Sequence, residues 1–226
     1  MRSKYIELKI LLHFILFLSF IGCNSATEKE DLVEEPQSKT ELNEKQKIIF
    51  FGNSITAAYQ LDPKDAFSNI IQAKIDSLNL NFECINAGNS GETTAGGLNR
   101  LDWVLKNGCD VFVLELGAND GLRGLPLENT EQNLNAMVDR VFASYPDCKV
   151  LVCGMKVPPS MGDAYAMQYD EMFARIGSRK AIIFLPFILE GVAGIPELNL
   201  ADGIHPTVEG HKILAETVWL KLNPLL

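Results

Sequence analysis

The sequence predicts an α/β domain of three layers, with helices on both faces of a five-stranded parallel sheet. Two observations point to it. From Lys47 onward, short apolar runs alternate with amphipathic stretches of helical length, the pattern of βαβ units and parallel pairing. The 226-residue chain, 47% hydrophobic, can also bury one sizeable core, and neither an internal repeat nor a low-complexity insert interrupts the alternation.

The elements follow in order. Ile48 to Phe51 is four apolar residues in a row, as suits a strand buried on both faces; Gly52 and Asn53 break it, and Ser54 stands at the break. Pro63 fits the first turn of a helix, and Phe67, Ile70, Ile71, Lys74, Ile75 and Leu78 then keep helical spacing. A second strand spans about Asn81 to Asn86, followed by a glycine-rich loop, Gly88 to Gly91, and a helix over Thr94 to Lys106 that Asn107-Gly108 ends. The third strand, Val111 to Leu116, runs into Gly117-Ala118-Asn119-Asp120 and a polar loop to Asn129. Thr130 to Asn133 starts a helix with Leu134, Met137, Val138 and Val141 on its core stripe. The fourth strand is Val150 to Met155, and the proline-bearing loop Val157 to Gly162 is expected to be non-helical. A helix from Ala164 to about Ile176, a fifth strand from Ala181 to Phe187 and a last helix opening at Pro206-Thr207 complete the domain. Right-handed crossovers leave few topologies, and the flavodoxin-like order 2-1-3-4-5 sets strands one and three side by side, with Ser54 and Asn119 at one sheet edge.

The N-terminus reads differently. Arg2, Lys4 and Lys9 precede an apolar run, Ile10 to Ile21, too short for a relaxed membrane span but suited to a signal-peptide core. Gly22-Cys23 follows and resembles the bacterial lipobox, with Phe20 where that pattern usually has Leu. Residues 1–22 are therefore expected to be a lipoprotein-type signal peptide, Cys23 the lipidated residue, and residues 23–46, rich in Glu, Lys, Ser, Thr and Gln, a flexible tether to a domain over 47–226. The expected location is the cell envelope, facing the periplasm or the exterior, with the membrane met only through that lipid. Cys84, Cys109, Cys148 and Cys153 lie in or beside apolar runs and read best as buried free thiols, although an exported compartment permits disulfides. A net charge of −9 with no basic face argues against nucleic acid.

Three segments carry possible chemistry. Ser54 follows the first strand, at the sheet edge where α/β folds bind ligands; taken alone it reads as a helix N-cap. Asn119 follows the third strand and offers a side-chain amide. Asp202 stands three residues before His205, a spacing that lets a carboxylate reach the imidazole Nδ1 in a tight turn and leaves Nε2 free for a serine proton. Alone, that pair reads first as a solvated Asp-Gly turn followed by a helix cap. Among the three histidines, His13 lies in the leader and His211 on the last helix as a surface or capping residue. A serine nucleophile also needs donors for an oxyanion, and Gly91, Asn119 and the Ser54 amide are placed to supply them. Gly88 to Thr94 lacks the lysine of a phosphate loop, and no further ligands join Asp202 and His205 to make a metal site, so no cofactor is called for.

Phe51-Gly52-Asn53-Ser54-Ile55-Thr56, Gly91, Gly117-x-Asn119-Asp120 and Asp202-x-x-His205-Pro206 stand in the order of the four blocks of the SGNH (GDSL-type) hydrolases, and the domain resembles that family throughout. The stretches Glu115 to Gly124, Thr130-Glu131-Gln132 and Leu185-Pro186-Phe187 resemble its bacterial thioesterase/lysophospholipase/arylesterase branch. The resemblance implies Ser54 as nucleophile, His205 as base and acid, Asp202 as its orienting partner, and Ser54, Gly91 and Asn119 as the oxyanion hole. It implies acyl transfer from a small-molecule ester or thioester. Asn53 departs from the family's usual Asp beside the serine and is expected to leave activity intact, with a change in pH optimum or preference possible. Apolar residues on the loops, from Leu122 to Leu127, Val157 to Met161 and Phe187 to Leu189, suggest a fatty-acyl or aryl group. The competing expectations are a carbohydrate O-acetyl esterase on the same fold, which wants a polar cleft with aromatic platforms, and a silent lipid-binding lipoprotein.

Overall fold

The structure, a computed structural model, describes residues 44–226. Signal peptide, Cys23 and nearly all of the expected tether lie outside the described residues. Five strands, β1 (Gln46–Gly52), β2 (Phe82–Gly88), β3 (Val111–Glu115), β4 (Lys149–Cys153) and β5 (Ile182–Leu185), form one sheet in the order β2-β1-β3-β4-β5. All four pairings are parallel, and the register sets Ile48 of β1 between Cys84 of β2 and Val111 of β3. This is the sheet and strand order that the alternation predicts.

The helices are α1 (Phe67–Ser77), α2 (Thr94–Leu105), α3 (Ala118–Leu122), α4 (Leu127–Ser144), α5 (Asp163–Gly177) and α6 (Val208–Leu222). α1 packs with α6, and α2, α4 and α5 pack in a row. Between these two layers the apolar runs of β1, β3 and β4 are buried from end to end, as a parallel sheet covered on both faces requires. Among the described residues no helix is long and apolar enough to cross a membrane.

The structure corrects three local expectations. The stretch after β3 is not one polar loop: it holds α3, and α4 starts at Leu127, three residues before Thr130, because Pro126 fixes the extended backbone that precedes the first turn. Pro63–Asp65 makes only a 3-10 turn, and α1 itself begins at Phe67. The loop before α5 contains a 3-10 turn at Pro159–Met161, since proline fits the start of so short a turn even where it bars a longer helix. The four cysteines of the domain are free, and the sulfurs of Cys109 and Cys148 approach to 3.5 Å in the core.

His211 is not on the surface. It is 1% exposed, its ring lies stacked 6.2 Å from that of Phe67, and its Nδ1 accepts the Phe67 amide at 3.2 Å, capping α1 from a helix far along the chain. Burial lowers its pKa to about 4, against which Asp65 pulls only weakly. The unfolded chain therefore binds a proton that the folded one refuses between pH 6.5 and about 4. Stability from this residue is present above that window and lost as pH falls through it. Compared with His211→Gln, the unmodified protein should lose about 2 kcal/mol between pH 7 and pH 5, measured by denaturant titration of both proteins at each pH.

Candidate active site

Strand ends place Ser54, Gly91 and Asn119 at the carboxyl edge of the sheet, and the loop before α6 brings Asp202 and His205 to them. Gly52 closes β1 without a side chain: a Cβ there would lie 2.0 Å from the Thr56 hydroxyl and 2.5 Å from a Glu115 carboxylate oxygen. Ser54 then turns out of the sheet, and its Oγ lies 2.8 Å from His205 Nε2. His205 Nδ1 lies 2.7 Å from Asp202 Oδ2, while Asp202 Oδ1 accepts the Ile204 and His205 amides at 3.0 and 3.1 Å. Ionised, that carboxylate only accepts, so the imidazole proton sits on Nδ1 and the Nε2 lone pair faces the serine hydroxyl. Desolvation pushes Asp202 up, but the two amides and the imidazole together bring it down to about 2. It is therefore an anion throughout the neutral range.

The loop that carries this pair is braced independently. Asn199, 7% exposed, donates to the Val192 and Ile195 carbonyls at 2.7 and 2.8 Å and bridges to Pro206, and the Leu200 amide closes on the His205 carbonyl at 2.7 Å. The Tyr59 ring lies 4.6 Å from the imidazole and covers one side of it.

Facing Ser54, the other expected groups gather. Gly117, at φ +114°, turns the chain sharply into α3 and brings Asn119 to the edge, where its Nδ2 donates to the Glu92 carbonyl at 3.0 Å and keeps a second hydrogen. Arg123 holds the Gly91 carbonyl at 2.9 Å. The Ser54 and Gly91 amides have no hydrogen-bond acceptor among the described residues, and both residues line the cavity above the serine together with Asn119. Ser54, Gly91, Asn119, Asp202 and His205, read from separate segments, are thus brought together in one place.

Sequence reading missed the supports beneath them. Arg100 clasps the Glu92 carboxylate at 2.6 to 2.8 Å, reaches the Ala87 carbonyl at 2.8 Å and lies 4.1 Å over the Phe51 ring, tying β2, α2 and β1 together. Asp120 accepts the Thr94 amide and hydroxyl at 2.9 and 2.6 Å, fixing α3 to the start of α2. Glu115, fully buried, accepts four hydrogen bonds from Asn53 and Thr56. An acid closing an otherwise apolar strand was the available sign, because a buried charge needs partners. Burial pushes Glu115 up to about 7 against the pull of those four donors. Its raised pKa means that the stability present below pH 4.5 is lost as pH rises through about 7, a cost of about 3 kcal/mol.

The cavity over Ser54 has a volume of about 750 Å³. Leu122, Val157, Pro158, Pro159, Phe187 and Leu189 line it, as expected. Leu125, Pro126, Leu127, Met161 and Ile188 do not: Ile188 is wholly buried and Leu127 packs on the core. Among the described residues no three His, Cys, Asp or Glu side chains are grouped to hold a metal ion.

Comparison with known proteins gives this arrangement its relatives. Residues 50–213 match the GDSL-like Lipase/Acylhydrolase family. The chain belongs to that family. It is 36% identical to Esterase TesA of Pseudomonas aeruginosa over 182 residues, 80% of this chain and 90% of that protein. It is 30% identical to Thioesterase 1/protease 1/lysophospholipase L1 of Escherichia coli over 180 residues, 79% of this chain and 84% of that one. A crystal structure of TesA, 36% identical, superposes with a TM-score of 0.77, covering 80% of this chain and all (100%) of the other.

Two glycines of the GDSL-like fold should respond differently to a methyl group. A Cβ on Gly88 would lie 2.2 Å from the Ala57 amide nitrogen, which is backbone and cannot swing aside. Gly91 has open space around it and only its φ of +80° to oppose a side chain. Gly88→Ala should cost about 3 kcal/mol or more and Gly91→Ala about 1 kcal/mol, read from denaturant midpoints.

Proposed function

We propose that this chain is a serine hydrolase of carboxylic esters and thioesters that works through an acyl-enzyme on Ser54. The observation that carries the reading is the unbroken line of short contacts, Asp202 to His205 at 2.7 Å and His205 to Ser54 at 2.8 Å, at the floor of the cavity. His205 Nε2 takes the Ser54 proton as Oγ attacks the acyl carbonyl. The carbonyl oxygen gains the charge and is met by the Ser54 and Gly91 amides and the free hydrogen of Asn119. As the tetrahedral intermediate collapses, His205 returns the proton to the departing alcohol or thiol. Water, deprotonated by His205, then attacks the Ser54 ester; Ser54 Oγ leaves with that proton, and the free acid is released. Asp202 stays ionised and holds the imidazole in the required tautomer throughout.

The cavity lining supports a medium or long acyl or an aryl group as the part of the substrate that is bound. Its walls are apolar from α3 to the segment after β5, and its aromatic residues, Tyr59 and Phe187, do not form the open polar cleft that a sugar acetate would want. Trp103 lies on α2, 77% exposed and outside the cavity.

The enzyme should be assayed on p-nitrophenyl esters from acetyl to palmitoyl and on an acyl-CoA. Ser54→Ala should lower kcat on the order of 10⁶-fold and Asn119→Ala about 10²- to 10³-fold. A rate maximum beyond acetyl fits the apolar cavity, a maximum at acetyl favours the deacetylase alternative, and turnover that survives Ser54→Ala refutes the mechanism.

We also propose that the chain is exported and anchored by lipid at Cys23, a reading supported by the basic start, the apolar run to Ile21 and the Gly22-Cys23 pair. Labelling cells with a fatty acid should mark the full chain and leave Cys23→Ser unlabelled.

A further inference from the structure

Glu115 takes no part in the steps above, yet it is wholly buried beside them and accepts four hydrogen bonds. Its Oε1 accepts Asn53 Nδ2 at 2.8 Å, and its Oε2 accepts the Asn53 amide at 3.2 Å, the Thr56 amide at 3.3 Å and the Thr56 hydroxyl at 2.7 Å. Residues 53 and 56 bracket Ser54, so the carboxylate grips the nucleophile turn from both sides. Asn53 completes the grip: its Oδ1 accepts the Ile55 amide at 3.0 Å and lies 3.4 Å from Ser54 Oγ. Three of the four groups facing Glu115, two backbone amides and a carboxamide N–H, can only donate.

We propose that Glu115 is a positioning residue for the acyl transfer of Ser54: as a carboxylate clamped by Asn53 and Thr56, it holds the Ser54 hydroxyl on His205 Nε2. The proposal rests on the hydrolase reading above. Among the described residues no cation sits against Glu115. Cys153 of β4 and Tyr169 of α5 are its titratable neighbours, and burial pushes both further from ionisation. The polar groups around it are thus the ends of the nucleophile turn and little else. A neutral group in that place would be better for folding, since burial already pushes Glu115 up to about 7. What the carboxylate supplies is geometry. A shift of the serine by about 1 Å would be expected to cost on the order of 10²-fold in rate.

The same geometry yields a rescue. Glu115→Gln places an N–H₂ group against a donor whichever way the amide turns, so the turn must move. In the double variant Asn53→Asp, Glu115→Gln, the new carboxamide donates to the new carboxylate and its oxygen still accepts the Asn53-position amide and both Thr56 groups. The hydrogen bonds are restored with the charge moved one residue from the serine.

The experiment measures kcat and KM on a p-nitrophenyl ester for the unmodified protein, Glu115→Gln and the double variant, with folded fraction checked by circular dichroism. Glu115→Gln should lower kcat about 10- to 100-fold with KM nearly unchanged, because the cavity walls are untouched. The double variant should return to within about tenfold of the unmodified kcat. Folded Glu115→Gln with full kcat, or a double variant no faster than Glu115→Gln, overturns the proposal. If Glu115→Gln does not fold, the double variant decides: folded and within that tenfold range it supports the clamp, and otherwise it refutes it. Ser54→Ala in the same assay tests the hydrolase reading separately, since its outcome does not depend on Glu115.

Discussion

Strand β1 is paired along both edges and buried on both faces, and the rest of the site depends on where it stops. A strand so enclosed offers no room for a polar side chain until its last residue has passed the sheet. Ser54 is the first hydroxyl beyond that point. The parallel partner β3 ends level with it, in a register that pairs Gly52 with Glu115, so the chain leaving β3 delivers Asn119 to the same edge. β2, on the other side, pairs Gly88 with Gly52 and delivers Gly91. The donors at Ser54, Gly91 and Asn119, each following a different strand, converge because hydrogen-bond register, not side-chain contact, aligns the strand ends.

Two carboxylates beside this edge show how environment divides the work. Asp202 sits on an open loop, is drawn down to about 2 by two amides and the imidazole, and serves as a fixed negative charge. Glu115 sits in the core and is driven up to about 7 by the same interior that makes its four hydrogen bonds strong. One contributes charge to the histidine at little folding cost. The other is an expensive support, and the Asn53 amide beside it supplies a donor where a second acid would have needed a proton.

The fold was legible because its strongest signals are apolar periodicity and turn residues, which local sequence carries. Boundaries slipped at two prolines: Pro126 stands just before α4 in a stretch that read as loop, and Pro159 begins a 3-10 turn in a loop that read as non-helical. Ser54, Asn119, Asp202 and His205 were legible as candidates because each falls at a strand end or in a turn, where polar residues need an explanation. Glu115, Arg100 and Glu92 were not, since Asn53 lies 62 residues from Glu115, and the Arg100–Glu92 pair, 8 residues apart, meets only through the turn that leads into α2. Tyr59 gave no sign at all: it covers His205 through a turn whose left-handed residues, Ala58 and Gln60, have no glycine to announce them.

β1 also sets a direction. The described chain enters the sheet at Gln46, on the amino edge, and the cavity opens past the carboxyl edge, one strand length or about 20 Å away. Entry point and cavity mouth therefore stand at opposite edges of the sheet.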